Sequence, residues 1–369
     1  MLGGFAASTG LTALCLTVAA AIDIPQNLNS HATQQDTVHF WSDGTPMART
    51  GWVRRQAMPV PRPVAHPMSR DDILDGAASV ATDGRNLAVH GGPDHRTQGF
   101  NEPNAATVQA GSAFLPFVYA AGLEHGVRKT RGGPATRITP QTLYNGVAVT
   151  TPEGPYWDRS GKKVTAHNDD GKSHGPISLG TALARSVHTP FMQLGMDTGL
   201  NEVRETALAA GLLPSSLGPQ VPALSLGSST PSAIRRASGY ATFAAAGQHT
   251  EPYSVRRITH NGAEVRLTTP TARRAIGAEV AEQVSEALTD SLNAAHPGVS
   301  TATATGRSGT TADDTAAWFA GTAQSVATAV VVHRMDLAAS LDPLPLNGTA
   351  GTPADSVPYA VWSGAMGLD

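Results

Sequence analysis

Gly175–Leu200 reads GPISLGTALARSVHTPFMQLGMDTGL. The apolar spacing predicts a helix from Leu179 to about Val187. It stops before Pro190, because proline lacks a backbone donor and restricts the residue ahead of it. Ser186 and His188 then sit in the polar end of that segment, Ala184-Arg185-Ser186-Val187-His188-Thr189-Pro190. Two other short segments share its character. Upstream is Gly111-Ser112-Ala113-Phe114-Leu115-Pro116-Phe117, at the start of a helix predicted over Ser112–Glu124 and stopped by Gly126. Downstream is Gly306-Arg307-Ser308-Gly309-Thr310-Thr311, read as a strand leading to the Trp318-Phe319 strand. Each segment has a plain alternative. Ser112 also suits a helix N-cap, Ser186 a surface position near a helix end, and Arg307–Thr311 a Gly/Thr-rich turn.

Around these segments the chain alternates between hairpin and helix signals. Ala77–Ala81 and Asn86–His90 flank Asp83-Gly84, a hairpin signal. Val203–Ala210, Ala233–Ala246, Ala275–Leu292 and Val357–Met366 have helical spacing. Tyr253–Ile258 and Glu264–Leu267 flank Asn261-Gly262, a second hairpin signal, and Ala316–Ala320 and Val326–His333 are rich in strand formers. A mostly helical centre inside a chain that begins and ends with hairpins implies an α+β domain whose sheet is built from both ends.

Composition narrows the function classes. The 369 residues are 40% hydrophobic and 15% charged, with a formal net charge of −3. A core is affordable, and no basic excess exists to grip a phosphate backbone, so no nucleic acid is expected as a partner. The lone Cys15 excludes a disulfide framework or a Cys-based metal site. No metal or cofactor is expected: His90, His95 and His125 fall in loops without ligand spacing and read as solvated. Asp169-Asp170 and Asp313-Asp314 read as turns rather than acid/base pairs, and Gly132-Gly133 lacks the flanks of a phosphate loop. Leu2–Ile22 carries no charge and is long enough to cross a bilayer. It reads either as a membrane anchor or as a signal peptide cleaved at Ala19-Ala20-Ala21, with the body outside the cytoplasm, and its plain alternative is a buried apolar helix of a soluble domain. The proline-rich stretch ending in Pro59, Pro61, Pro63 and Pro67 reads as a spacer. The expected organisation is therefore a signal or anchor over 1–22, a linker over 23–70 and one domain over 71–369.

Taken together and in this order, the three short segments resemble the S-x-x-K, S-x-N and K-T-G motifs of penicillin-binding proteins and serine β-lactamases. Gly175–Leu200 and Leu226–Gly247 are most similar to the class A, actinobacterial penicillin-binding proteins. Ala78–Gly92 with Phe100-Asn101, Gly111–Gly126 and Thr310–Gly321 extend the resemblance over most of 71–369. It implies a serine β-lactamase/DD-peptidase-like fold, an antiparallel sheet flanked by helices plus an all-helical lobe. It also implies acyl-serine chemistry on D-Ala-D-Ala stem peptides or β-lactams, in peptidoglycan synthesis. Thr37–Val60 looks like the segment that precedes a glycosyltransferase domain in class A members. Asp71 already begins the transpeptidase part, so glycan polymerisation is expected to be absent.

The resemblance puts Ser112 at the nucleophile position, Ser186 at the relay serine and His188 where the family has asparagine. Arg307, Ser308 and Gly309 stand for Lys-Thr-Gly, and Thr310 and Thr311 follow. Arginine keeps the cation that holds a substrate carboxylate, and the N–H groups of Ser112 and Thr310 are the oxyanion-hole positions. Leu115 occupies the position of the lysine that takes the serine proton, and leucine accepts none. None of the four lysines (Lys129, Lys162, Lys163, Lys172) is placed nearby to substitute, whereas an imidazole at 188 is suited to proton transfer. Two functions follow as expectations: a transpeptidase-like enzyme impaired by Leu115, or a non-catalytic pseudoenzyme that binds stem peptides or cell-wall synthesis proteins. A β-lactam-hydrolysing protein would need a deacylating base, and none is identified.

Overall fold

A computed structural model describes residues 38–40, 46–49, 73–91, 108–128, 130, 133–151, 163, 165–260, 263–299, 304–311, 314–336, 342–346 and 356–368. The chain divides into two compact units, 1–56 with 255–268, and 57–254 with 269–369. In the first unit, Val38–Phe40 pairs antiparallel with Pro46–Arg49, and Ile258–His260 with Ala263–Val265.

The second unit is built on a five-stranded antiparallel sheet. Its strands are β1 (Ile73–Ala81) and β2 (Asn86–His90), joined through Asp83-Gly84, and β3 (Ala304–Thr310), β4 (Ala316–Ala323) and β5 (Val326–Arg334) from the other end of the chain. The order is β3-β4-β5-β1-β2, so β5 pairs with β1 and the two ends of the chain meet in mid-sheet. Side chains alternate between faces with a period of two. Ala78, Val80, Ala316, Trp318, Ala320 and Val331 enter the main core. Ala77, Phe319, Ala323 and Val330 enter a second cluster on the opposite face.

The helices are α1 (Leu115–His125), α2 (Leu179–Ala184), α3 (Thr189–Thr198), α4 (Leu200–Ala209), α5 (Ala233–Ala244), α6 (Ala278–Ala295) and α7 (Ser356–Met366). Helices α5 and α6 cover the first face, and the second is closed by α7, whose Trp362 ring lies 4.7 Å from that of Phe319. The alanines of β4 and β5 keep both faces shallow and let these helices approach closely. Helices α1 to α4 form the helical lobe, with α1 at its centre. Phe114, Phe117, Tyr240 and Phe243 join that lobe to α5, with the Phe117 and Phe243 rings 5.3 Å apart. Short strand pairs, Leu143–Asn145 with Pro176–Ser178 and Val149–Thr150 with Ala166–His167, decorate the lobe.

Several local expectations need correction. The helix expected from Ser112 begins as a 3₁₀ turn, Gly111–Phe114. Pro116 has no N–H to start an α ladder, so the turn closes through the tighter Leu115 N–H bond to the Ser112 carbonyl. Pro190 opens a helix instead of ending one. The segment expected to end near Val187 stops at Ala184, and α3 begins at Thr189, where the missing proline donor costs nothing. Tyr253 does not belong to the second hairpin. It bridges Arg85, donating to the Gly84 carbonyl at 2.8 Å. Neither His90 nor His125 lies in a loop, although His125 is exposed as expected. His90 lies on β2 with Nε2 2.6 Å from Asp75, and burial opposes the raised pKa that this hydrogen bond produces. His125 ends α1 and contacts Thr206 at 3.2 Å. Leu2–Ile22, the proline-rich spacer, His95, Phe100-Asn101, Gly132, Lys129, Lys162, Asn261-Gly262 and Asp313 lie outside the described residues. Among the described residues, no helix is long and apolar enough to cross a membrane.

Candidate active site

The 3₁₀ turn carrying Ser112 is held at both ends by buried side chains. Trp318 Nε1 donates to the Gln109 carbonyl at 2.9 Å, Arg236 Nη1 to Ala110 at 3.1 Å, and Tyr240 Oη to Ala113 at 3.0 Å. The Arg236 guanidinium stacks on Trp318, 3.7 Å from the ring centroid. Backbone bonds from Ala110 N to Ser229 O (2.7 Å) and from Gly111 N to Gly227 O (3.0 Å) complete the clamp. Gly111 has φ +55°, and a side chain there would collide with the Thr310 carbonyl. The turn therefore lies flush against β3, and Ser112 Oγ donates to the Ser308 carbonyl at 3.4 Å. Leu115 is wholly buried in the main core.

The second segment is shaped by the end of α2. Val187 N bonds Ala182 O at 2.9 Å and Ser186 N bonds Leu183 O at 3.4 Å, a Schellman motif. Its left-handed position usually takes glycine, yet here it holds Ser186 at φ +53°. A side chain at such a position costs roughly 1–2 kcal/mol, and this one presents its hydroxyl to Arg307, whose Nη2 donates at 3.1 Å. Beyond it, α3 receives no cap from His188 itself. Asn168 supplies one from outside the helix: its Oδ1 accepts from His188 N at 3.0 Å and Thr189 N at 3.1 Å. The amide of Asn168 donates to Gly146, Val147 and Lys172 carbonyls at 3.3, 3.0 and 2.9 Å. The adjacent Asp169 places Oδ1 3.2 Å from His188 Nδ1, while His188 Nε2 is buried with no partner among the described residues.

Edge strand β3 supplies the third segment. Arg307 is only 2% exposed. Its Nη1 donates to Leu183 O at 3.1 Å, Nη2 to Ser186 Oγ, and Nε to Ser308 O at 3.4 Å. The guanidinium thus ties the edge strand to the end of α2. Burial pulls the pKa of Arg307 down to about 10 and that of Arg236 to about 9, so both remain cations at neutral pH. Burial also pushes the Tyr240 phenol up to about 12, opposed by both arginines. Gly309 is required by contact: an added Cβ would stand 2.6 Å from Ala113 N and 2.9 Å from Ala110 O. Thr310 ends β3, and Thr311 Oγ1 accepts from Thr315 N and Ala316 N at 2.9 and 3.0 Å, closing the turn into β4.

Ser112, Ser186, Arg307, Ser308 and Gly309 are thereby joined in one bonded cluster between the edge strand and the helical lobe. His188 adjoins it through the α2–α3 turn, although no direct bond links it to Ser112. Arg236, Tyr240 and Asn168 hold the cluster, and the sequence carries no local sign of that role. In the helix, Arg236 and Tyr240 showed only helical spacing, and a lone asparagine in a polar stretch carries no local signal.

An antiparallel sheet covered by helices, with a serine turn set between its edge strand and a helical lobe, defines the serine β-lactamase/DD-peptidase class of fold. The model of the penicillin binding protein transpeptidase domain matches residues 143–341, more than half of the chain. The chain belongs to that family. Penicillin-binding protein 1A of Neisseria lactamica is 28% identical over 277 residues, 71% of this chain and 33% of the relative. Penicillin-binding protein 1B of Escherichia coli is 29% identical over 258 residues, 67% of this chain and 28% of the relative. The chain thus spans about a third of the length of these curated relatives. Among solved structures, PonA1 of Mycobacterium tuberculosis in complex with penicillin V superposes with a TM-score of 0.65 at 24% identity, covering 80% of this chain and 77% of that one. Penicillin-binding protein 1A of Haemophilus influenzae gives 0.65 at 21% identity, covering 80% and 47%.

Proposed function

We propose that the chain is an extracytoplasmic penicillin-binding domain of peptidoglycan synthesis that forms an acyl-enzyme at Ser112 slowly. The acyl donor is a D-Ala-D-Ala stem peptide or a β-lactam, and the acyl group passes to an amine or water. One observation carries this reading: a clamped turn sets the Ser112 hydroxyl against the edge strand at Ser308. Ser186 supports it, because a non-glycine residue kept at positive φ beside a cation is strain retained at a site. In this reading Ser112 is the nucleophile, Ser186 the relay and His188 the proton acceptor. Arg307, Ser308, Gly309, Thr310 and Thr311 form the wall along which the substrate lies. Attack is slow because Leu115 contributes no base, and loss of one member of a coupled catalytic unit costs ~10⁴–10⁶ in rate.

A second reading has its own support. Arg307 is buried and bonded to protein acceptors, so its guanidinium is turned away from an incoming carboxylate. With Leu115 in the core, this favours a non-catalytic domain that binds stem peptides or cell-wall synthesis partners. Residues 1–22 would carry such a domain to or across the membrane, residues 23–70 would link it, and 71–369 would form it.

Labelling with a fluorescent penicillin, in competition with a peptide ending in D-Ala-D-Ala, separates the readings. Acyl-serine chemistry predicts slow covalent labelling that is lost in Ser112→Ala and reduced by the peptide. Reversible peptide binding without any label would leave the binding reading alone.

A further inference from the structure

Asp169 sits in a turn and its side chain is 61% exposed, which for an isolated acid would mean a solvated surface carboxylate. Its surroundings are not those of a surface turn. Asn168 next to it is 3% exposed and makes five hydrogen bonds, two of them to the backbone N–H groups of His188 and Thr189. The backbone at 168 also donates to Ala148 O at 3.1 Å and accepts from Gly171 N at 2.9 Å. The position of residue 169 relative to His188 is therefore set by the fold and not by chance meeting of two long side chains. The neighbouring acid, Asp170, faces the other way, to His174 Nε2 at 3.1 Å. Of the two consecutive acids, only Asp169 reaches His188.

The two nitrogens of His188 have opposite environments. Nδ1 faces a carboxylate at 3.2 Å, and Nε2 is buried with no hydrogen-bond partner among the described residues. A carboxylate only accepts, so a neutral imidazole meeting it must carry its proton on Nδ1 and a lone pair on Nε2. A buried lone pair without a donor is costly, and such an atom marks where an incoming donor belongs.

We propose that Asp169 is a positioning residue: it holds His188 in the Nδ1–H tautomer and leaves Nε2 as the proton acceptor of the site. This rests on the acyl-serine reading above. When Ser112 Oγ bonds to the carbonyl carbon of a β-lactam, its proton is taken up at Nε2. The lactam C–N bond breaks as Nε2 returns that proton to the nitrogen. His188 ends neutral, and Asp169 is never protonated.

The test is ¹⁵N–¹H correlation spectroscopy of the full chain labelled on its 13 histidines, with His188→Gln identifying the His188 signals. The wild type is expected to show a protonated Nδ1 and a bare Nε2. In Asp169→Ala those signals should shift toward the opposite tautomer, with the melting temperature and the remaining histidines unchanged. A wild-type Nε2–H, or an identical tautomer in Asp169→Ala, would overturn the proposal. Penicillin labelling of Ser112 should fall roughly tenfold in Asp169→Ala, in line with loss of an orienting partner; an unchanged rate would also overturn it. A locked tautomer in a wild type that never labels would support the pairing and fail the acyl-serine reading alone.

Discussion

Replacing Leu115 by lysine tests what the site lacks. In a 3₁₀ turn, residues three apart eclipse one another, and Leu115 N–H bonds the Ser112 carbonyl, so the two side chains leave the turn on one side. Lysine at 115 would therefore bring an amine to the Ser112 hydroxyl. The cost follows from burial. Leu115 is 0% exposed, and its volume is largely replaced by the lysine stem, so little cavity opens. What remains is removal of the amine from water, about 1–3 kcal/mol if it stays neutral. Buried Arg307 and Arg236, both cations, favour that neutral form. For a domain of this size the loss corresponds to a fall in Tm of about 2–4 °C per kcal/mol. Against this stands a gain of ~10²–10⁴ in acylation rate from a positioned base. The assay is the rate of penicillin adduct formation followed by intact-protein mass spectrometry, with melting measured in parallel. A Leu115→Lys protein that folds but acylates no faster than wild type would refute the reasoning, and would mean that the oxyanion or substrate contacts are lost as well.

Further predictions follow from individual contacts. Gly309→Ala places a methyl 2.6 Å from Ala113 N and 2.8 Å from Ala113 Cβ, pushing β3 off the serine turn. It should cost about 1–3 kcal/mol in urea unfolding and abolish labelling; full labelling would contradict the close approach. Asn168→Ala removes the one oxygen that accepts from two N–H groups and the amide nitrogen that serves three carbonyls, and should destabilise by about 3 kcal/mol or more. A loss below about 1 kcal/mol would show that water replaces the clamp. His249 is buried, bonded to Thr242 Oγ1 at 3.1 Å and Glu251 at 3.2 Å, and burial lowers its pKa from 6.5 although Glu251 opposes this. The folded state then binds fewer protons there than the unfolded chain, so stability should decline as pH falls below about 6.5. Urea midpoints between pH 7.5 and 5.5 should show this decline reduced in His249→Gln, and equal slopes would refute the assignment.

Much of the fold could be read from the chain itself, since hairpins signalled by Asp83-Gly84 at one end and by two apolar runs at the other do meet in one sheet. The segments holding Ser112, Ser186 and Arg307 also stand out in the sequence, because each is a short run of neighbouring residues. Other features are tertiary. The burial of Arg307 depends on the Leu183 carbonyl, which sits 124 positions away in sequence. The clamp by Arg236 and Tyr240 depends on where α5 crosses the serine turn, and helical spacing says only that such residues face inward. Pro190 misled because proline both ends helices and opens them. Asp169 read as a turn acid, which it is, and its pairing with His188 needed Asn168 to fix the approach.

The most direct test of the central claim is a mass-spectrometric time course of the wild-type protein with a large excess of benzylpenicillin, followed by peptide mapping. The account predicts one slowly accumulating penicilloyl adduct, located on Ser112 and absent from Ser112→Ala. A folded protein that forms no adduct after prolonged exposure, or forms it equally in Ser112→Ala, would contradict it.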